Sequence, residues 1–209
     1  MADITFYTNP MSRGQIVRWM LEEVGQPYDT EIVDYAVMHD AAYRAVNPMM
    51  KVPAIVHCGK VVTECAGIIA YLADAFPEAG LAAREEEKAD YYRWLFFAAG
   101  PIEQAVTNKS AGFEPSEEKG RMFGYGSYDL AVSTLADHLA DRAFVCGDRF
   151  TAADVYVGSQ VMWGTQFGTL PSPPSFLAYG ARLSSREAYQ RAKAIDGKLI
   201  AEMQAAQPA

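Results

Sequence analysis

Cysteine is scarce in this chain of 209 residues: Cys58, Cys65 and Cys146 leave an odd count and form no C-x-x-C pair. That excludes a disulfide framework and points to a reducing compartment. Histidine is equally thin, and His39, His57 and His138 are too scattered for a zinc site, so no metal is expected. Positive charge is short as well, with 18 Lys and Arg against 26 Asp and Glu and a net charge of −8. A nucleic-acid backbone needs a basic face, so nucleic acid is excluded as the main partner. No stretch approaches the ~20 apolar residues that span a bilayer, so no membrane is expected. The opening "MADITFYTNP" carries Asp3 and no basic n-region, and does not read as a signal peptide. A cytoplasmic protein is the expectation. The sequon at Asn108-Lys109-Ser110 carries no weight without a secretory route.

What is present is a globular composition, 50% hydrophobic and 12% aromatic, long enough for one large domain or two small ones. Residues 4–7 alternate as a strand. From Ser12 the apolar residues Ile16, Val17, Met20, Leu21 and Val24 recur at helical spacing, and Gly25 marks the stop. A second strand is predicted over 28–35, then a short helix over 39–46 closed by Asn47-Pro48. In "NPMMKVPAIVHCGKVVTECAG" the segments 54–56 and 60–63 read as a hairpin turning at Cys58-Gly59. A helix over 65–75 ends at Pro77. Two strands joined through a helix imply a parallel pair with a right-handed crossover, and the hairpin adds antiparallel strands. This βαβ-α-ββα order is the layout of a thioredoxin-like α/β domain, expected over residues 1–78.

Beyond a linker at 77–80 the pattern is helical, and residues 85–209 are expected to form an all-α domain. The helix opened by "EEEKADYYRWLFFAAG" is aromatic on more than one side, which implies burial on more than one side. Gly100-Pro101 should kink or break it. Another helix is expected over 115–141. The fragment Gly124-x-Gly126 follows no strand and lacks a third glycine, so it is no dinucleotide fingerprint. In "DRFTAADVYVG", Thr151 and Asp154 form a capping box, with Phe150 and Val155 as its hydrophobic staple. The final "AAQPA" is expected to fray.

Four segments in this order resemble the cytosolic glutathione transferases over the whole chain. "RWMLEEVGQPY" resembles the family's first helix and exit turn, and "NPMMKVPAIV" the segment before its cis-proline. "VVTECAGI" resembles its glutamate-serine element, and "DRFTAADV" its buried capping box. The resemblance, nearest to the bacterial serine-type theta- or zeta-like classes, implies the two-domain fold and a detoxifying enzyme. That enzyme would conjugate glutathione, its co-substrate, to an apolar electrophile, and would act as a homodimer. It also assigns residues. With Val52-Pro53 cis, the Val52 backbone would pair with the cysteinyl unit of glutathione by strand addition. Glu64 would meet the γ-glutamyl ammonium and the following helix N-terminus its carboxylate, with Lys51 and His39 facing the glycyl carboxylate. Cys65 stands where the family usually has serine, and a thiol is the weaker donor.

A hydroxyl donating to the glutathione thiolate lowers its pKa. Ser12 is the expected donor, at the N-terminus of the first helix, and Tyr7 on the first strand is the alternative. The turn "NPMSRG" holds no cysteine, which disfavours a mixed-disulfide mechanism. Tyr91, Trp94, Trp163 and Phe167 are candidates for an apolar cleft that receives the electrophile. Two alternatives remain open at this level: a non-catalytic binding protein on the same fold, and a glutathione-dependent peroxidase or isomerase.

Overall fold

A computed structural model describes residues 2–206, so the last three residues of the terminal "AAQPA" lie outside the described residues. The chain divides into two compact units, one of residues up to Gly80 together with those from Ser185, the other Leu81–Ser184.

In the first unit, β1 (Ile4–Thr8) leads into α1 (Gly14–Val24), β2 (Tyr28–Ile32), α2 (Ala41–Val46), β3 (Ala54–His57), β4 (Lys60–Thr63) and α3 (Cys65–Ala75). The sheet order is β2-β1-β3-β4, with β1 parallel to β2 and antiparallel to β3, and β3 antiparallel to β4. This is a thioredoxin-like mixed sheet. Phe6 and Ile4 of β1 are buried on one face, while Tyr7 turns to the other and stays half-exposed. Gly25 ends α1 at φ 74, where glycine alone carries no side-chain penalty. Cys58 and Gly59, at φ 49 and φ 73, make the two-residue hairpin turn, both central residues being left-handed as a type I′ turn requires. β2 is shorter than its sequence pattern suggests. After the Val33 N–H donates to the Thr8 carbonyl (2.8 Å), the chain turns away at Asp34.

The terminal helix α9 (Glu187–Ala205) packs on α1. Arg18 of α1 is buried, its Nε 3.1 Å from Oδ1 of the equally buried Asp196, while its Nη1 donates to the Thr30 hydroxyl (2.9 Å). Breaking such a pair by removing one partner would strand a buried charge. Arg186 grips Glu23 through Nε and Nη2 (2.6 and 2.8 Å), and Trp19 meets Tyr189 edge-on at 5.0 Å.

The second unit is helical: α4 (Lys88–Phe97), α5 (Glu103–Ser110), α6 (Tyr128–His138), α7 (Ala152–Phe167) and α8 (Pro174–Ser184). Between α4 and α5 the backbone forms a π-helical turn, Ala98–Ile102, around Pro101. Proline lacks the donor an α-turn needs there, and the wider turn absorbs the defect without breaking the helix. The helix expected over 115–141 shrinks to α6. Gly126 sits at φ 67, and Ser127 caps the shortened helix by accepting from the Leu130 N–H (3.2 Å). α7 is the core helix, buried along almost its whole length.

Candidate functional site

The registers of the sheet decide which residues meet. Tyr7 pairs with Ala54, and Ala54 pairs with Thr63. One step further along, Thr8, Pro53 and Glu64 therefore abut at one end of the sheet. The loop 9–13, the segment 50–53 and the N-terminus of α3 converge there. The Cys65 thiol closes the group by donating to the Arg13 carbonyl (3.7 Å).

The Val52-Pro53 bond is cis. Among the described residues neither the N–H nor the C=O of Val52 has a hydrogen-bond partner, so a strand-like backbone edge stands unpaired at the sheet end. Met50 (φ 53) and Glu64 (φ 63) flank this edge, both in the left-handed region that costs a non-glycine residue about 1–3 kcal/mol. Two such residues on either side of one backbone edge single it out as a candidate site, and nothing in their spacing announced it. Glu64 is exposed. Behind it α3 presents its first turn, and the amides of Ala66 and Gly67 have no acceptor among the described residues. Cys65 is buried with its thiol directed to Arg13, so any anion at this helix end must be held by backbone amides.

Ser12 lies beside this edge. Its Oγ accepts from the Gly14 N–H (2.9 Å) and donates to the Asn9 carbonyl (2.6 Å). The oxygen is thus held in place at the start of α1, whose first turn carries no acid. Gly14 lets the start of α1 lie against the end of β1, because a Cβ there would stand 1.9 Å from Thr8 Oγ1. Tyr7 points to the α2 side, its ring 5.9 Å from Tyr43, and like Met50 and Val52 it packs on the cluster of Val33, Met38 and Tyr43; its hydroxyl has no hydrogen bond among the described residues. Lys51 and His39 are exposed.

The candidates in the helical unit fall into two groups. Tyr91 and Trp94 are 3% and 2% exposed, and Trp94 stacks on His138 with ring centroids 3.9 Å apart. Burial lowers the pKa of His138, which favours the neutral ring in that stack. Trp163 is half-buried and Phe167 is 70% exposed, both on α7. Thr151 and Asp154 are buried. Asp154 Oδ2 accepts from the Thr151 N–H (2.8 Å) and hydroxyl (3.1 Å), and Oδ1 from the Val145 N–H (2.7 Å) and the Tyr179 hydroxyl (2.8 Å). Among the described residues no His, Cys, Asp and Glu cluster could hold a metal ion, and no helix is long and apolar enough to cross a membrane.

Comparison with known proteins agrees with this geometry. A family model described as the glutathione S-transferase N-terminal domain matches residues 11–75, the stretch that builds the sheet end. The glutathione S-transferase GstA of Escherichia coli O157:H7 is 28% identical over 159 residues, 74% of this chain and 78% of its own. A crystal structure of a glutathione transferase from Methylococcus capsulatus superposes with a TM-score of 0.75 at 28% identity, covering 93% of this chain and 98% of that one. The theta class enzyme of Xanthomonas axonopodis pv. citri, solved with glutathione bound, gives 0.70 at 26% identity over 92% and 97%. The chain is thus similar to glutathione S-transferases in fold over nearly all its length, and in sequence over the N-terminal domain that builds the sheet end.

Proposed function

We propose that this protein is a cytoplasmic glutathione transferase of the serine type, which joins the thiolate of glutathione to an apolar electrophile. The observation that carries the reading is the unpaired Val52 backbone beside the N-terminus of α3. Glutathione is an extended tripeptide with a carboxylate at each end and an ammonium at one. Its cysteinyl unit pairs with the N–H and C=O of Val52. Its γ-glutamyl carboxylate rests on the Ala66 and Gly67 amides, and its ammonium on Glu64. Lys51 is the cation available to the glycyl end, with His39 as a further ring donor.

This pose brings the thiol toward the start of α1. Free glutathione is only a few per cent thiolate at neutral pH, and the site must favour the anion. Ser12 is the proposed donor. Gly14 N–H already fixes Oγ, so serving a thiolate requires only that the hydroxyl hydrogen rotate away from Asn9. The positive end of α1 adds to the same effect. The thiolate sulfur then attacks the electrophilic carbon; the C–S bond forms as the leaving group departs with its electron pair. The hydroxyl of Tyr7, unpartnered among the described residues, supports the second reading of a tyrosine donor. Of the aromatic candidates for the electrophile, Trp163 and Phe167 are accessible rings, while Tyr91 and Trp94 serve as packing. Tyr92 and Phe96, exposed and stacked 6.5 Å apart on α4, support a homodimer, and sedimentation at the mass of one 22.9 kDa chain would remove that part of the proposal.

The test is retention on immobilised glutathione followed by turnover of a generic aryl halide. Both are expected. Retention without turnover leaves a binding protein on this fold, and failure of both removes the reading.

A further inference from the structure

The unpaired edge at Val52 is held in position by two buried side chains from α2 and its exit. Tyr43 donates its hydroxyl proton to the Lys51 carbonyl at 2.6 Å, and Asn47 donates from Nδ2 to the same carbonyl at 2.8 Å. Tyr43 and Asn47 are 7% and 2% exposed. Asn47 is itself fixed, because its Oδ1 accepts from the Met49 N–H (3.0 Å) and its carbonyl from the Met50 N–H (2.8 Å). Both lone pairs of one carbonyl are thus claimed by donors that cannot move freely.

The consequence follows from peptide geometry. The Lys51–Val52 bond is trans, since Val52-Pro53 is the cis bond among the described residues. In a planar trans peptide the C=O and N–H point in opposite directions. Directing the Lys51 oxygen inward onto Tyr43 and Asn47 therefore directs the Val52 N–H outward, to the side where no described residue accepts it. We propose that Tyr43 and Asn47 are positioning residues that orient the Val52 N–H toward the cysteinyl carbonyl of glutathione. They act through the Lys51 carbonyl and touch no substrate. Tyr43 is well suited to the task, because burial pushes its hydroxyl up to about 12 and keeps it a donor at any working pH. The inference rests on the glutathione-binding reading above.

Tyr43→Phe deletes one donor and keeps the ring packed against Tyr7. Asn47→Asp keeps the acceptor for Met49 N–H but sets a carboxylate oxygen against the Lys51 carbonyl. Calorimetric titration with S-methylglutathione measures binding without thiol ionisation, and steady-state kinetics separates KM from kcat. The expected result is a Kd raised about fivefold by Tyr43→Phe and at least tenfold by Asn47→Asp, matched in KM for glutathione. The kcat at saturating glutathione stays within about twofold of wild type. Variants that melt earlier yet bind with the wild-type Kd would show a purely structural role and overturn the proposal. A loss in kcat at unchanged KM would also overturn it. A wild-type protein that binds no S-methylglutathione would sink the glutathione reading itself, and the clamp with it.

Discussion

Asp154 is the residue whose removal should cost the fold most for the fewest atoms changed. A solvent-exposed capping residue is worth about 0.5–2 kcal/mol. Here the carboxylate accepts from four donors, the Thr151 N–H and hydroxyl, the Val145 N–H and the Tyr179 hydroxyl, and all of these residues are buried. In Asp154→Asn the amide oxygen still serves two donors, and the Thr151 hydroxyl can reverse to accept from the new NH2. The Thr151 N–H is left facing that NH2. One lost bond of about 1 kcal/mol and one stranded buried donor of about 1–3 kcal/mol give about 2–4 kcal/mol. Asp154→Ala strands all four donors and should lose about 4 kcal/mol or more. Urea unfolding followed by circular dichroism at neutral pH measures both. A loss below about 1 kcal/mol in Asp154→Ala would mean the four bonds are not made. A pH arm sharpens the test. Burial pushes the Asp154 carboxyl up to about 6 from its ordinary value of 3.8. Between these values the folded state holds more protons than the unfolded one, so this group's stabilising contribution is full below the lower value and falls as pH rises through the upper. Asparagine does not titrate. The gap between wild type and Asp154→Asn should therefore narrow as pH rises across that window and then stay level. A gap that widens would mean the folded carboxyl lies below its free value.

Two further outcomes are expected. Ser12→Ala should raise the apparent pKa of bound glutathione, read as ultraviolet thiolate absorbance against pH, and lower turnover at least tenfold, about 1.4 kcal/mol. Tyr7→Phe should do much less, and the reverse pattern would assign the donor to Tyr7. Gly14→Ala should cost about 1–3 kcal/mol, because its Cβ would stand 1.9 Å from the buried Thr8 Oγ1 and α1 would have to shift. A wild-type melting temperature in Gly14→Ala would show that the loop 9–13 yields freely.

Periodicity and turn residues were enough for the order of elements from β1 to α3, though β2 stops at Ile32, short of the expected 35. Ile16, Val17, Met20, Leu21 and Val24 define α1, Gly25 ends it, and Cys58-Gly59 turns the hairpin, because these signals act within a few residues of one another. The same local rule misled over 115–141, where apolar spacing continues through Gly124 and Gly126 but the left-handed backbone at Gly126 does not. The motifs around Val52-Pro53, Glu64 and Ser12 were legible as positions. Their convergence was decided by strand register, which sets Thr8, Pro53 and Glu64 side by side. Nothing in sequence spacing could show that the Ser12 hydroxyl is shared between Gly14 and Asn9, or that the Cys65 thiol turns to Arg13. Nor could it show that Tyr43 and Asn47 share one carbonyl, since a donor's choice of acceptor depends on which groups packing has left dry. Arg18 and Asp196, 178 residues apart, make the same point at the longest range: each is an ordinary helix residue by pattern, and only burial makes them partners. Local propensity and periodicity therefore determined the elements, while desolvation and register, which belong to the folded chain as a whole, determined what those elements hold between them.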